Sequence, residues 1–413
     1  MFNWISSPLI LLAALILVGV QLIAALPWLK VLSPKGFRDT FRRPELLAGW
    51  VLGVVFLSIV VASFMGYKGD STFLVLVGRG YAFILHLQLI IDFFIVVPAL
   101  LTFIWPKGGA VALATFREGW RQPMFWLITF FGILAIAVSI VIPYITLGDD
   151  YKMMKQIGYD IIMLCAALFG VLASSISISE EIEGRTAVTL MSKPVNRRHF
   201  LIGKFLGILM ACGAMTMILG LALIPALWVM PEFDKINAVD DSIVNQAREL
   251  FDKELIYSMP SRPGKAISQG IGLWASEAIA HESGVILGFG QVMILVSIST
   301  ALATRLPFVI NLIVCLMIYF AGNLAPVVVH VTQSLKEKES GTAVELVNFV
   351  GKMTDAVMPA LEHFKMNTAI IRETPLDFNQ FMVYVMTVMG YSLIYTTIAV
   401  VVGLILFEDR DLA

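Results

Sequence analysis

The composition of this 413-residue chain is typical of a membrane protein. Hydrophobic residues make up 58% of the sequence, charged residues make up only 14%, and the mean hydropathy is +0.86. A soluble domain has about 25% charged residues. The net charge is −1, so the chain has no large field of one sign that could hold a polyanion such as nucleic acid. These values exclude a soluble enzyme, a disordered chain and a nucleic-acid-binding domain, and they predict an all-α polytopic helical membrane protein.

Long apolar runs recur along the chain and predict about nine transmembrane helices. Each run approaches or exceeds the roughly 20 residues that cross a bilayer. The first run is too long for the core of a signal peptide, and no basic residue precedes it, so it is predicted to be a span. The third is expected to begin near Tyr81, because Gly78, Arg79 and Gly80 should break the helix. The predicted spans are residues 5–26, 46–66, 81–105, 124–147, 158–179, 201–230, 284–304, 307–330 and 381–406.

Basic residues in short segments predict the orientation in the membrane. Nine spans place the two ends of the chain on opposite sides, and basic clusters lie in segments 27–45 and 178–205. Short loops rich in Lys and Arg stay in the cytoplasm. The N-terminus is therefore expected outside and the C-terminus in the cytoplasm. Two longer segments, 231–283 and 331–380, then become extracytoplasmic loops, each with an amphipathic stretch.

No pattern in the sequence supports chemistry by this chain itself. Cys165, Cys212 and Cys315 each lie inside an apolar run, without CxxC or His/Cys metal spacing. The sequence has no HExxH or GxSxG pattern, and no GxxxxGK[ST] loop that could hold the phosphates of ATP. We expect no catalytic residue, no metal site and no cofactor bound by this chain.

Five polar residues inside predicted spans are candidates for a functional role. Polar groups in a membrane span either serve function or form hydrogen bonds between helices. His86 and Asp92 lie six residues apart, about 600° of helical rotation, so they do not share one face. Interhelical hydrogen bonding is the interpretation that the residues favour, and a role in a substrate route stays open. The five residues are His86, Asp92, Gln291, Asn311 and Asn323.

The most informative stretch is EEIEGRTAVTLMSKPVNRRHFLIGKFLG, residues 180–207. It joins two spans on the side rich in basic residues. Gly184 permits a change of direction, and Ala187, Leu190 and Met191 share one face of a predicted short helix. Pro194 ends that helix. An apolar face between charged flanks can dock into a groove of a soluble partner, and an ordinary topology-setting basic loop is the alternative.

This stretch resembles the coupling loop of ABC transporter membrane subunits of the type-2 exporter class. Two weaker features agree. ALATFREGWRQPMFW (112–126) resembles the amphipathic connecting helix that precedes the family's six spans, and FEDRDLA resembles its charged cytoplasmic tail. The resemblance covers about residues 110–413. It implies that the ATPase-coupling interface comprises Glu180, Glu181, Glu183, Gly184, Arg185, Thr186, Leu190, Met191, Ser192, Lys193, Pro194, Arg197 and Arg198.

The resemblance implies a permease subunit that depends on other chains. Its partners would be a separate ABC ATPase, which uses ATP with Mg²⁺, and a second permease copy or a paralogue, in a prokaryotic plasma (inner) membrane. The chain would comprise an N-terminal region, 1–105, with three additional spans, and a permease-like domain, 106–413, with six. A non-transport scaffold or channel component, and less so an intramembrane enzyme, are the alternatives.

Overall fold

The structure is a computed structural model that describes residues 8–67, 71–142, 150–181, 196–233, 262–336, 349, 359–365 and 378–408. Every element in these ranges is helical, and the described residues contain no strand, which confirms the all-α prediction. The α-helices are α1 (Pro8–Leu32), α2 (Pro34–Arg42), α3 (Pro44–Tyr67), α4 (Ser71–Ile104), α5 (Pro106–Arg121), α6 (Pro123–Ser139), α7 (Asp150–Ser174), α8 (Arg197–Phe233), α9 (Arg262–Ala303), α10 (Phe308–Lys336) and α11 (Phe378–Glu408). A π-helix, Ser175–Glu180, continues α7, and a 3₁₀-helix covers Leu361–Phe364.

Seven of the described helices are long and apolar enough to cross a membrane. The α5–α6 pair, bent by 60° at its break, makes eight if the pair forms one span. The apolar part of α10, Phe308–Leu324, is shorter. Each of the nine predicted spans overlaps one of these helices. The multi-pass membrane architecture is therefore confirmed, and the exact count of nine stays a prediction.

Proline residues mark where several helices begin. Pro34, Pro44, Pro106 and Pro123 each occupy the first position of a helix. Proline suits this position because its fixed φ is already helical and its missing N–H would have no partner inside the helix. These prolines mark the boundaries between successive helices, and α5 and α6 are bent by 60° at theirs.

The predicted helix break at Gly78–Gly80 is wrong. Helix α4 runs without interruption from Ser71 to Ile104. A Cβ atom on Gly78 would lie 2.3 Å from the carbonyl oxygen of Ile267, and one on Gly270 would lie 2.1 Å from the carbonyl oxygen of Val75. The glycines allow two helix backbones to approach closely, an effect that outweighs the cost of about 1 kcal/mol for glycine inside a helix.

Helix α9 begins 22 residues before its predicted span at 284. It is a continuous helix from Arg262. The prediction of a loop up to residue 283 is wrong for residues 262–283. Glu277, His281 and Glu282 lower the local hydropathy there, because their side chains are charged or polar. The amphipathic stretch predicted around residues 243–255 lies outside the described residues.

The chain divides into two compact units. The first comprises Met1–Leu100 and Asp240–Ala280, and its apolar core includes Ile10, Ala14 and Ala62. Within it, the hydroxyl group of Tyr81 donates a hydrogen bond to the carbonyl oxygen of Leu17 at 3.0 Å, which links α4 to α1. The guanidinium group of Arg79 forms an ion pair with Glu277.

The second unit comprises Leu101–Val239 and His281–Ala413. Helix α8 is its central element and packs against α5, α6, α7 and α11. Large fully buried side chains such as Phe125, Phe169 and Phe200 fill its core. The predicted domain division after residue 105 stays a prediction.

A short piece of the predicted outer loop 331–380 packs deep into the second unit. Leu361 and Phe364 of the 3₁₀-helix are buried. A Cβ atom on Gly322 of α10 would lie 2.8 Å from the carbonyl oxygen of Pro359. The hydroxyl group of Tyr384 on α11 donates a hydrogen bond to the carbonyl oxygen of His363 at 2.7 Å. The segment 359–365 is thus held by side chains and small residues of the neighbouring helices.

Candidate functional site

The predicted coupling residues fall into two groups in the structure. Glu181, Arg197 and Arg198 are described with their side chains, and Glu180 is the last residue of the π-helix. The remaining predicted residues, Glu183, Gly184, Arg185, Thr186, Leu190, Met191, Ser192, Lys193 and Pro194, lie outside the described residues. The site can therefore be built from the two ends of segment 182–195 and from the elements that hold those ends.

A buried lysine joins the elements around this segment. The side chain of Lys204, two turns into α8, is only 6% exposed. Its Nζ atom donates a hydrogen bond to the Oγ atom of Ser177 at 2.9 Å and forms an ion pair with Glu181. The carboxylate of Glu118, on α5, lies 3.7 Å from the same Nζ atom. One cation therefore links α5, the end of the π-helix and the start of α8.

The electrostatics of this cluster favour a fixed arrangement. Placing an ammonium group in a poorly solvated position is costly unless charges and hydrogen bonds compensate it. The side chain of Glu181 is 24% exposed and that of Glu118 is 52% exposed. The more buried Glu181 carboxylate therefore interacts more strongly with the Lys204 ammonium group, because solvent screens it less. We call Lys204, Ser177, Glu181 and Glu118 the lysine cluster.

Helix α5 is held tightly against α8 by small residues. A Cβ atom on Gly203 would lie 2.7 Å from the Cβ atom of Val111, and one on Gly207 would lie 2.4 Å from the carbonyl oxygen of Ala112. Four-residue spacing places Gly203 and Gly207 on one face of α8. Small residues at this spacing let helix backbones pack closely within membranes. Helix α5, which contains most of the predicted connecting helix, is therefore docked on the first turns of α8.

Arginine side chains bond to the carboxyl end of α11. The Nη1 atom of Arg197 donates hydrogen bonds to the carbonyl oxygens of Phe407 at 3.0 Å and Glu408 at 2.7 Å. The Nε atom of Arg305 donates to the carbonyl oxygen of Leu406 at 2.8 Å. Cations at a helix C-terminus satisfy its last carbonyl groups and complement the helix dipole.

Aromatic contacts reinforce the same junction. The rings of Phe200 and Phe407 stack with centroids 5.8 Å apart, and the guanidinium carbon of Arg197 lies 5.8 Å from the centroid of the Phe407 ring. Arg198 adds an exposed ion pair with the carboxylate of Glu408 at 3.1 Å. The start of α8 is thereby fastened to the end of α11.

A buried polar network lies beside the π-helix. The Nδ2 atom of Asn311 donates to the Oγ atom of Ser175 at 2.8 Å and to the carbonyl oxygen of Ser299 at 3.1 Å. The Oγ atom of Ser179 donates to the carbonyl oxygen of Leu306 at 3.0 Å. These bonds connect the π-helix to α9, to α10 and to the turn between them. Single π-helical turns occur often at functional sites.

The hydrogen bonds just described do not include the other four polar candidates. Asn323 donates from its Nδ2 atom to the carbonyl oxygen of Tyr319 in its own helix at 2.8 Å. Gln291 is buried in α9. In the first unit, the ring of His86 lies 6.2 Å from that of Trp274, and Asp92 is partly buried on α4. The Nδ2 atom of Asn311 bonds to other helical elements, whereas the Nδ2 atom of Asn323 bonds within its own helix.

Sequence reasoning missed three residues of this site. None of Lys204, Glu118 and Arg305 is among the predicted coupling residues, although Lys204 and Glu118 lie inside the two stretches that carry the resemblance. A lysine one turn inside an apolar run was the one available signal, because such a group needs a carboxylate partner. Its partner on α5 lies 86 positions away and could not be inferred from spacing. Among the residues that the structure describes, no group of three or more His, Cys, Asp or Glu side chains could hold a metal ion.

Comparison with protein families shows that the sequence matches a known family. The family described as ABC-2 family transporter protein matches residues 35–412. The chain belongs to this family. Its members are membrane components that are not themselves ATPases and that typically work with one, so this chain is an ABC-2 transporter membrane protein. The match also begins within α2, and therefore includes most of the N-terminal region that the resemblance left unassigned. No curated protein matches the chain.

Proposed function

We propose that the chain is the permease subunit of an ATP-driven exporter, coupled to a separate ATPase through segment 180–200. The observation that carries this proposal is the lysine cluster, which ties both ends of the loop to α5. A loop that only sets topology does not require a buried ion pair at its base. A loop that transmits the motion of an ATPase needs such a rigid connection at its base, because otherwise the loop would bend locally and the spans would not move.

Three connections suit the transfer of such a displacement. Lys204 couples the end of α7 to α8 through Glu181 and to α5 through Glu118. Arg197 couples the start of α8 to the end of α11. The Asn311 bonds couple the π-helix to α9 and α10. A push on the loop would therefore shift a set of helices together, as alternation between two states requires.

The partners in this proposal are an ABC ATPase, which uses ATP with Mg²⁺, and a second permease copy or paralogue. The ATPase would bind the cytoplasmic face, where Leu190 and Met191 offer apolar contacts between charged flanks. The protein would lie in a prokaryotic inner membrane with its N-terminus outside and its C-terminus in the cytoplasm.

Interface variants in reconstituted vesicles test the coupling. Leu190→Glu and Lys193→Glu should reduce ATPase binding and ATP-driven transport by at least about tenfold, since both place a carboxylate in the proposed contact. Leu346→Glu, in the predicted outer loop, is the matched control and should leave both properties unchanged. Equal activity of all three variants would contradict the coupling role. Binding of the ATPase without ATP-driven transport would favour the scaffold or channel alternative.

Cysteine labelling in intact cells tests the orientation separately. Ser192→Cys lies in the proposed cytoplasmic loop and Ser340→Cys in the proposed outer loop. A maleimide that does not cross membranes should label Ser340→Cys and leave Ser192→Cys unlabelled until the cells are opened. The reverse pattern would place the loop on the wrong side for an ATPase.

A further inference from the structure

The first unit contains a groove between α1 and α3 that narrows at one end and opens at the other. Near Ala14 and Ala62, which are both 0% exposed, the two helices pack closely. The first of three cavities, of about 620 Å³, and the third, of about 430 Å³, lie nearer to α2, and the second, of about 410 Å³, is lined by α1, α3, α4 and α9. The cavities share lining residues: Val18 and Leu57 line the first two, and Trp50 lines the first and third.

The wall of the groove is mostly apolar and has the length of one membrane leaflet. On α1 the lining runs from Leu17 to Leu29, roughly 18 Å at about 1.5 Å per residue. The hydrocarbon core of a bilayer is about 30 Å thick, so one leaflet accounts for about 15 Å. Cβ atoms built on Gly49 and Gly53 of α3 meet nothing within 4 Å, so these glycines leave open space. The groove therefore has the length and the lining of a site for an acyl chain.

The segment next to the α2 end of the groove is rich in basic residues, and one of them, Arg43, lines the third cavity. Residues 30–45 contain five basic residues, Lys30, Lys35, Arg38, Arg42 and Arg43, and two acidic ones, Asp39 and Glu45. Helix α2 itself is amphipathic: Phe37, Phe41 and Asp39 line the third cavity, whereas Lys35, Arg38 and Arg42 do not line it. Such a helix lies at the membrane interface, where basic residues attract anionic headgroups.

The basic residues at this end have no carboxylate partner within the described part of the chain. The basic side chains that are exposed include those of Lys35, Arg42 and Arg43, and no described carboxylate lies within ion-pair distance of any of them. Asp39 and Glu45 line the cavities and offset part of the positive charge. An occupant must therefore be apolar along its length and negative at one end.

We propose that this groove binds an anionic phospholipid, with an acyl chain between α1 and α3 and the phosphate group beside α2. The phosphate would lie beside Arg43, with the exposed Lys35 and Arg42 adding positive charge around it, and the acyl chain would lie over Gly49 and Gly53. The proposal is independent of the coupling to an ATPase, and it assigns a role to the N-terminal region.

Native mass spectrometry of the full-length chain, delipidated in detergent, tests the site. Titration with dioleoylphosphatidylglycerol should give at least about fivefold stronger binding than titration with dioleoylphosphatidylcholine, since each basic residue near an anionic headgroup contributes roughly fivefold. The triple variant Lys35→Gln, Arg42→Gln, Arg43→Gln should remove that preference. Lys35→Arg, Arg42→Lys, Arg43→Lys should keep it, which separates the loss of charge from misfolding.

Two matched controls make the result specific. Neutralising three exposed cations of α5, with Lys107→Gln, Arg117→Gln and Arg121→Gln, should change phosphatidylglycerol binding less than twofold. Gly53→Leu should fill the groove and weaken binding of both lipids at least about fivefold. Gly19→Leu should have no effect, because its Cβ atom also meets nothing within 4 Å but it does not line the groove. Equal binding of the two lipids, an equal loss in the α5 control, or equal behaviour of Gly53→Leu and Gly19→Leu would overturn the proposal.

Discussion

Lys204 of α8 forms an ion pair with Glu181, so the two helical elements that flank segment 182–195 are joined to each other. The ammonium group is nearly inaccessible to solvent and also bonds to the Oγ atom of Ser177. This arrangement differs from the surface salt bridge between Arg198 and Glu408, whose side chains are 70% and 48% exposed. Burial makes the Lys204 pair sensitive to the loss of either partner.

Replacement of Lys204 by methionine should destabilise the protein by about 2–4 kcal/mol, because it leaves the Glu181 carboxylate without its cation. The double variant Lys204→Met, Glu181→Met should recover most of that loss, since two apolar side chains need no compensation. Thermal unfolding in detergent measures both effects. Lys107→Met, an exposed cation of α5, is the control and should change little. A double variant as unstable as Lys204→Met would show that the pair is not the cause.

Gly207→Ala should destabilise the α5–α8 contact by about 1–3 kcal/mol, because the new methyl group would lie 2.4 Å from the carbonyl oxygen of Ala112. Gly213→Ala is the matched control on the same helix, where the nearest atom, Cζ of Phe289, is 3.7 Å away. Alanine favours a helix over glycine by up to about 1 kcal/mol, so this control should be neutral or stabilising. Thermal stability in detergent distinguishes the two variants, and similar values would argue against the close approach.

Asn311→Leu should destabilise the helix packing by about 1–2 kcal/mol, the range for hydrogen bonds between membrane helices. Asn311 bonds to Ser175 and Ser299 of other elements, whereas Asn323 bonds only to a carbonyl group of its own helix among the described contacts. Asn323→Leu should therefore have the smaller effect on the melting temperature in detergent. The opposite order would contradict a structural role for the network.

Arg197→Ala should loosen the last turn of α11, because it removes the donor to the carbonyl oxygens of Phe407 and Glu408. Hydrogen exchange of the amides in residues 404–408 should become about tenfold faster. Arg198→Ala removes only an exposed ion pair and should leave the exchange rates unchanged. Equal acceleration in both variants would point to a general effect of charge.

The membrane architecture could be predicted from the sequence because it depends on local composition. In a bilayer, the backbone N–H and C=O groups of an apolar run of about 20 residues must form their hydrogen bonds within one helix. Spans such as 46–66 and 201–230 could therefore be predicted without knowledge of their neighbours. Local rules failed where contacts between residues distant in the sequence determine the helix boundaries. Local rules predicted a helix break at Gly78–Gly80, but Gly78 lies in a continuous helix and lets the backbone of α9 approach closely. Local rules also predicted a loop over residues 262–283, which are part of a continuous helix.

The sequence by itself determined the helical membrane class and the absence of an ATP-binding loop pattern, and it predicted the position of a coupling segment. The tertiary structure decided which residues support that segment. Ion pairs such as Lys204 with Glu118, and helix caps such as Arg197 with Phe407, join positions 86 and 210 residues apart. Hydropathy and helical spacing report only on neighbours within a few turns, so they carry no information about these partners.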